Sequence, residues 1–68
     1  MTEAEQFKIW IKNIFKGIRL RKEGKWTELD YQRNMYQLAM KFELPSSDIF
    51  EYETEIQILK EKADENRT

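Results

Sequence analysis

Two carboxylates, Glu51 and Glu55, lie one helical turn apart in an acidic segment and are the best candidates for chemistry in this chain. Side chains at positions i and i+4 share one face of an α-helix, so their oxygens could hold a hard cation. That spacing arises by chance on any acidic helix, and no substrate-shaped loop accompanies it. Ser46 and Ser47 are explained as helix caps. We therefore predict no catalytic residue and no metal site.

The residue types that carry most enzyme chemistry are missing. Histidine and cysteine are absent, which removes the commonest general base, the strongest nucleophile and the usual ligands of structural zinc. Gly17 and Gly24 belong to no glycine-rich motif that could cradle a phosphate. We expect a protein that is not an enzyme and that needs no cofactor.

The 68 residues predict one all-α domain, a compact three-helix bundle with helices at about 3–22, 28–43 and 47–65. Thr2 and Glu5 resemble a capping box at the N-terminus of the first helix, and Gly24 suits the position just after the C-terminus of that helix. Thr27 and Asp30 form a second capping box. Pro45 disfavours helical geometry at the residue before it, and the polar tail at about 64–68 is expected to fray.

Apolar residues recur at helical spacing in all three segments and predict the core. The first stripe consists of Phe7, Trp10, Ile11, Ile14, Phe15 and Ile18. The second consists of Tyr31, Met35, Leu38, Ala39 and Phe42. The third consists of Ile49, Tyr52, Ile56, Leu59 and Ala63.

The corner between the second and third helices resembles a helix-turn-helix. Ala39 takes the small position where the two helices approach, and Leu44 and Ile49 take buried positions. The would-be reading helix carries Asp48 and an acidic face of three glutamates, Glu51, Glu53 and Glu55, and no basic residue up to position 55. Duplex DNA repels such a helix, because binding depends on neutralising phosphates. The outline therefore predicts packing geometry rather than DNA reading.

Charge is divided unevenly along the chain. Residues 6–25 carry seven basic groups and one acid, whereas residues 43–65 carry eight acids and two basic groups. Five of the basic residues share one face of the first helix: Lys8, Lys12, Lys16, Arg19 and Lys22. This face could bind nucleic acid, anionic lipid or an acidic protein. Alternatively, the first and third helices neutralise each other, an interpretation that the balanced totals favour.

Seven further apolar residues lie off the core stripes and predict a protein interface, because contiguous exposed apolar area usually marks one. They are Leu29, Tyr36, Met40, Ile9, Leu20, Phe50 and Ile58. The alternative is that the second helix is central and buries both of its apolar stripes within one chain.

A cytoplasmic location is expected, since no segment approaches the ~18 apolar residues of a membrane span and "MTEAEQ" is unlike a signal peptide. The basic first helix, with Trp10 and Phe15, could lie on a membrane surface. The core needs these aromatic residues, however, so we expect no membrane partner.

These features predict a small protein-binding adaptor or regulator, of the inhibitor or antirepressor type, that binds another protein of unknown identity through the exposed apolar surface and the acidic third helix and that itself forms a homodimer. Small cytoplasmic and phage-encoded regulators share this general size and class. The alternative is a helix-turn-helix-like regulator that binds nucleic acid through the basic face of the first helix.

Overall fold

The computed structural model describes residues 2–67, which form three helices and, within that range, no strand. They are α1 (Glu3–Lys22), α2 (Glu28–Lys41) and α3 (Ser46–Arg67). The predicted all-α three-helix bundle is confirmed, with every helix end within two residues of its expected position. None of the described helices is both long and apolar enough to cross a membrane. The predicted fraying of the tail stays a prediction, and Thr68 lies outside the described residues.

Both ends of α1 follow from local side-chain and backbone chemistry. The Thr2 hydroxyl accepts a hydrogen bond from the Glu5 N–H (3.2 Å) and caps the first turn. After the last turn, Gly24 adopts a φ of +77°, which lets the Lys25 N–H donate to the Leu20 carbonyl (2.9 Å). This is a Schellman motif, in which a glycine with positive φ closes the helix.

The two ends of α2 use the same devices with different residues. Thr27 and Asp30 form the predicted capping box, in which each side chain accepts from the other residue's backbone N–H. At the other end the Leu44 N–H donates to the Ala39 carbonyl (3.1 Å), again a Schellman arrangement. The residue with positive φ is here Glu43 (+54°), so α2 ends at Lys41, two residues earlier than predicted.

The start of α3 differs from its prediction. Ser46 is already helical, and the residue before the helix is Pro45 rather than a capping serine. The Pro45 carbonyl accepts from the N–H groups of Asp48 (3.0 Å) and Ile49 (3.2 Å). Proline lacks a backbone N–H, so nothing is lost by placing it immediately before a helix.

Helix α2 lies in the middle of the bundle and packs against both other helices. Its residues Met35 and Ala39 are the core, with 1% and 0% of their surface exposed. No Cα atom of α1 comes within 8 Å of one in α3 in the described part of the chain. The molecule is consequently flat and elongated, measuring 47 × 29 × 12 Å.

The contact between α1 and α2 is made by small and polar residues. Gly17 is buried against the ring of Tyr31, so closely that a Cβ atom at this position would collide with the ring. The Asn34 amide donates to the Asn13 side-chain oxygen (3.0 Å) one turn away. Arg21 also contacts Tyr31, with its guanidinium 3.9 Å from the centre of the ring.

The prediction for the buried face of α1 is therefore wrong in part. Phe7, Phe15 and Ile18 were expected in the core, yet they are 65%, 66% and 48% exposed. At ~100° per residue, the face that carries Gly17 and Asn13 lies roughly 110° from the centre of the predicted stripe. The close approach at Gly17 decides which face packs, and it turns the most apolar face outward.

Candidate functional site

An open groove of about 730 Å³ separates the N-terminal halves of α1 and α3. Both helices line it with residues at i, i+3, i+4 and i+7, the spacing of one helix face. From α1 these residues are Glu3, Gln6, Phe7 and Trp10, and from α3 they are Asp48, Glu51, Tyr52 and Glu55. Gln32, Phe42 and Leu44, from α2 and the turn after it, complete the lining. The groove exists because α2 keeps the backbones of α1 and α3 apart.

The floor of the groove is aromatic and apolar. Trp10 and Tyr52 meet across it edge to face, with ring centres 6.2 Å apart and planes at 64°. Phe42 and Leu44 are half-buried beside them, and Phe7 forms an exposed edge. Burial, followed by electrostatic interactions with Tyr31, Asp48 and Glu51, raises the pKa of Tyr52 above its ordinary value.

The rim of the groove is acidic. It carries four carboxylates, one from α1 and three from α3: Glu3, Asp48, Glu51 and Glu55. The lining residues that the structure describes include no lysine or arginine. We call this feature the acidic groove. A ligand that fits it must offer apolar groups for the floor and positive charge for the rim.

Next to the groove lies an outward face of α1 that is largely exposed in the described structure. We call this face the outer stripe; it consists of Phe7, Ile11, Ile14, Phe15 and Ile18. Three of these side chains are largely exposed and the other two are half-buried. The spacing i, i+4, i+7, i+8, i+11 is that of a surface prepared for another helix.

Beyond the outer stripe lies the predicted basic face of α1, which we call the basic flank. Its residues Lys8, Lys12, Lys16, Arg19 and Lys22 are all exposed. Only Lys16 has a described aromatic contact, with its ammonium 5.6 Å from the centre of the Trp26 ring. Arg21, by contrast, belongs to the fold, because it forms an ion pair with Glu28 and donates to the Gly17 carbonyl (3.2 Å).

The neutralisation of α1 by α3 stays a prediction, because the structure describes no ion pair that joins these two helices. The ion pairs that it describes are Arg21–Glu28 and Lys25–Glu23, and neither involves α3. Of the predicted acidic face, Glu51 and Glu55 line the groove and Glu53 accepts a hydrogen bond from the Tyr36 hydroxyl (2.9 Å). That bond raises the pKa of Tyr36. In the described part of the chain the side chains of the basic flank are exposed and the acidic groove is open.

The seven residues predicted to bind a partner fall into two groups. Met40, Phe50 and Ile58 are 51%, 67% and 41% exposed, as an interface requires. The other four are half-buried: Ile9, Leu20, Leu29 and Tyr36. The role of all seven residues in partner binding stays a prediction. Sequence reasoning missed Phe7, Phe15 and Ile18, although a glycine in the middle of a helix already indicates a close approach on its own face.

Comparison with protein-family models, with curated proteins and with solved structures finds no match to this chain. Within the described residues there is no cluster of three or more carboxylates that could hold a metal ion.

Proposed function

We propose that this protein is a small non-enzymatic binding protein, an adaptor or regulator of the inhibitor or antirepressor type that acts in the cytoplasm. The observation that supports the proposal most directly is the continuous apolar surface from Trp10 through Phe7 to Phe15. Contiguous exposed apolar area of this kind marks protein interfaces. In a 68-residue chain these exposed apolar side chains also reduce the stability of the fold, because they do not add to an already small core.

The shape of the surface favours an extended partner. The groove volume alone would suit a small ligand. The groove is open, however, and it continues into the outer stripe, which spans roughly 16 Å along the helix axis at 1.5 Å per residue. An amphipathic helix laid into a hydrophobic groove is a common mode of peptide recognition that uses anchors at i, i+3, i+4 and i+7. The expected partner segment is therefore a helix with an apolar face.

A photo-crosslinking experiment tests this proposal. A benzophenone amino acid replaces Phe7 at the edge of the groove, and the matched control carries it at Gln37, an exposed position on α2. After irradiation of producing cells, we expect a covalent adduct with another polypeptide from position 7 and none from position 37. The adduct mass identifies the partner. No adduct at position 7, or the same adducts at both positions, contradicts the proposal.

A second candidate function is nucleic-acid binding through the basic flank. It is supported by the exposure of all five side chains. Such binding would contact phosphates and would not depend on sequence. The acidic groove on the other side of the outer stripe opposes it, so we rank it below protein binding.

A further inference from the structure

We propose that the partner of this surface is a second copy of the same chain, paired through the outer stripe with the two α1 helices parallel. The inference rests on the proposed function and names its partner. It is supported by the order in which the acidic groove, the outer stripe and the basic flank follow one another around α1.

The three bands follow one another around α1. With Ile18 as the centre of the outer stripe and ~100° per residue, Glu3 and Trp10 lie roughly 60–80° to one side. The basic flank lies on the opposite side, with Lys12 roughly 120° from the centre. A partner laid on the outer stripe therefore meets carboxylates along one edge and ammonium groups along the other.

This arrangement selects among partner classes. An anionic membrane or a nucleic acid would match the basic flank, but the acidic groove would repel it. A uniformly basic helix would match the groove and be repelled by the flank. A partner must itself carry an apolar stripe between an acidic and a basic edge. The chain itself presents such a surface.

Symmetry then fixes the direction of the pair. A two-fold axis parallel to α1 places the basic flank of each copy opposite the acidic groove of the other. An antiparallel pair, with the axis across the helices, places groove opposite groove and flank opposite flank. Like charges in direct opposition disfavour binding. A dimer with closed two-fold symmetry uses one self-complementary surface twice, as the parallel pair does.

Pairing would also supply the core that one chain lacks. Met35 and Ala39 are the only buried hydrophobic residues in the described part of the chain. Domains of this size commonly need disulfides, metals or self-association to be stable. The chain has no cysteine. Parallel α1 helices would bury Phe7, Phe15 and Ile18 against their counterparts at the spacing of a helix–helix seam.

Reciprocal charge reversal tests the proposal. One variant carries Lys8→Glu and Lys12→Glu on the basic flank, and the other carries Glu51→Lys and Glu55→Lys on the acidic groove. By sedimentation equilibrium we expect a wild-type dimer, each variant alone weakened at least about tenfold, and a mixed dimer when the two are combined. The control Lys60→Glu with Lys62→Glu changes as many charges on exposed residues outside the groove and should leave the dimer intact.

Circular dichroism checks that each variant remains helical. If a reversal unfolds the chain, Glu51→Gln with Glu55→Gln replaces it, and Phe15→Glu serves as an independent variant because Phe15 is exposed in the monomer. Phe15→Glu should keep the helical signal and lose the dimer. A wild type that stays monomeric, or a dimer that neither reversal weakens, overturns the proposal.

Two further outcomes separate this inference from the proposed function. A monomeric wild type whose position 7 still crosslinks to a different protein overturns self-pairing and keeps the proposed function. A monomer that crosslinks to nothing overturns both. Wild-type binding to vesicles of anionic phosphatidylglycerol by a monomer, lost with Lys8→Glu and Lys12→Glu, would assign the outer stripe to a membrane surface instead.

Discussion

Glu43 occupies, in the turn after α2, the backbone position that Gly24 occupies after α1. Each residue has a positive φ and closes a Schellman motif, but only glycine adopts that geometry without a steric penalty. The strain of a non-glycine residue there is about 1 kcal/mol. The α2–α3 turn therefore carries a local cost that the packing of α2 against α3 must offset.

Glu43→Gly is expected to stabilise the protein by about 1 kcal/mol, because it removes this strain. For a domain of this size the thermal midpoint should rise by roughly 4–8 °C. Glu23→Gly is the matched control, since Glu23 lies at a helix end with an ordinary φ of −79°. That control should leave the midpoint unchanged or lower it. An equal rise in both variants would point to the lost charge rather than to backbone strain.

Asp30 gives the stability of the fold a pH dependence. The Thr27 N–H donates to its carboxylate (2.9 Å), and the Thr27 hydroxyl lies 3.1 Å from the same oxygen. These hydrogen bonds, the backbone one first, lower the pKa of Asp30 below its ordinary value. A carboxyl with a lowered pKa in the folded state contributes stability above its unfolded pKa, and that contribution is lost as pH falls through the folded pKa.

Asp30→Asn should therefore destabilise the protein at pH 7 and have a smaller effect at an acid pH below the folded-state pKa of Asp30, where the wild-type carboxyl is protonated as well. Urea unfolding of both proteins at the two pH values measures the difference. The pKa of Glu28 is also lowered, first by a hydrogen bond from Gln32 and then by one from Arg21. Glu28 is present in both proteins, so its contribution to the pH dependence of stability cancels in the difference. A difference that is the same at both pH values would contradict the assignment.

At the scale of the helices, the decisive contact is Gly17 against Tyr31. Glycine in a helix interior costs about 1 kcal/mol relative to alanine, so its presence there needs a packing reason. The buried approach of α1 to α2 provides that reason. The guanidinium of Arg21 stacks on the same Tyr31 ring. The contact between α1 and α2 is therefore made by small and polar residues rather than by large aliphatic ones.

Gly17→Ala should destabilise the protein by about 1–3 kcal/mol, because the added methyl group collides with the Tyr31 ring and outweighs the gain in helix propensity. Tyr31→Ala removes the obstacle. In that background the same glycine substitution should be neutral or stabilising. Chemical unfolding of the four proteins forms a double-mutant cycle. Equal effects in both backgrounds would show that the ring does not control the approach.

Most of the helix boundaries could be predicted because they depend on neighbours in sequence. The Thr27–Asp30 box, Gly24 and Pro45 all act within one turn of the helix that they begin or end. The orientation of α1 depends instead on a distant partner, Tyr31. The hydrophobic pattern predicts that α1 packs through the face of Phe7, Phe15 and Ile18. In the structure α1 packs through the face of Gly17, because only that face allows the close approach to Tyr31. The acidic groove follows from that packing, and so the sequence pattern did not reveal it.

At the scale of the whole molecule, the notable property is the separation of charge across a flat particle. The basic flank and the acidic groove lie on either side of the outer stripe, while the chain as a whole has a net charge of −1. Phe15 is exposed, so the expectation that the core retains both Trp10 and Phe15 is wrong for Phe15. The acidic groove would face an anionic membrane that bound the basic flank, and its carboxylates would oppose that binding.

If the protein binds nucleic acid, the affinity should come from the basic flank and should fall steeply with salt, through the release of counterions. Lys12→Gln with Lys16→Gln should weaken electrophoretic binding for all sequences alike. The control pair Ser47→Ala and Glu51→Gln, at the α2–α3 corner, should not. Sequence-selective binding that depends on Ser47 or Glu51 and survives the lysine changes would restore the helix-turn-helix interpretation.

The Trp10–Tyr52 contact across the groove also gives the molecule a built-in optical reporter. The second indole, Trp26, lies beside Lys16 near the far end of α1. Anything that fills the groove replaces water around Trp10 and should move its fluorescence to shorter wavelengths, while the emission of Trp26 changes little. A Trp26→Phe chain would thus signal occupancy of the groove without any label, whether the occupant is a second copy or another protein.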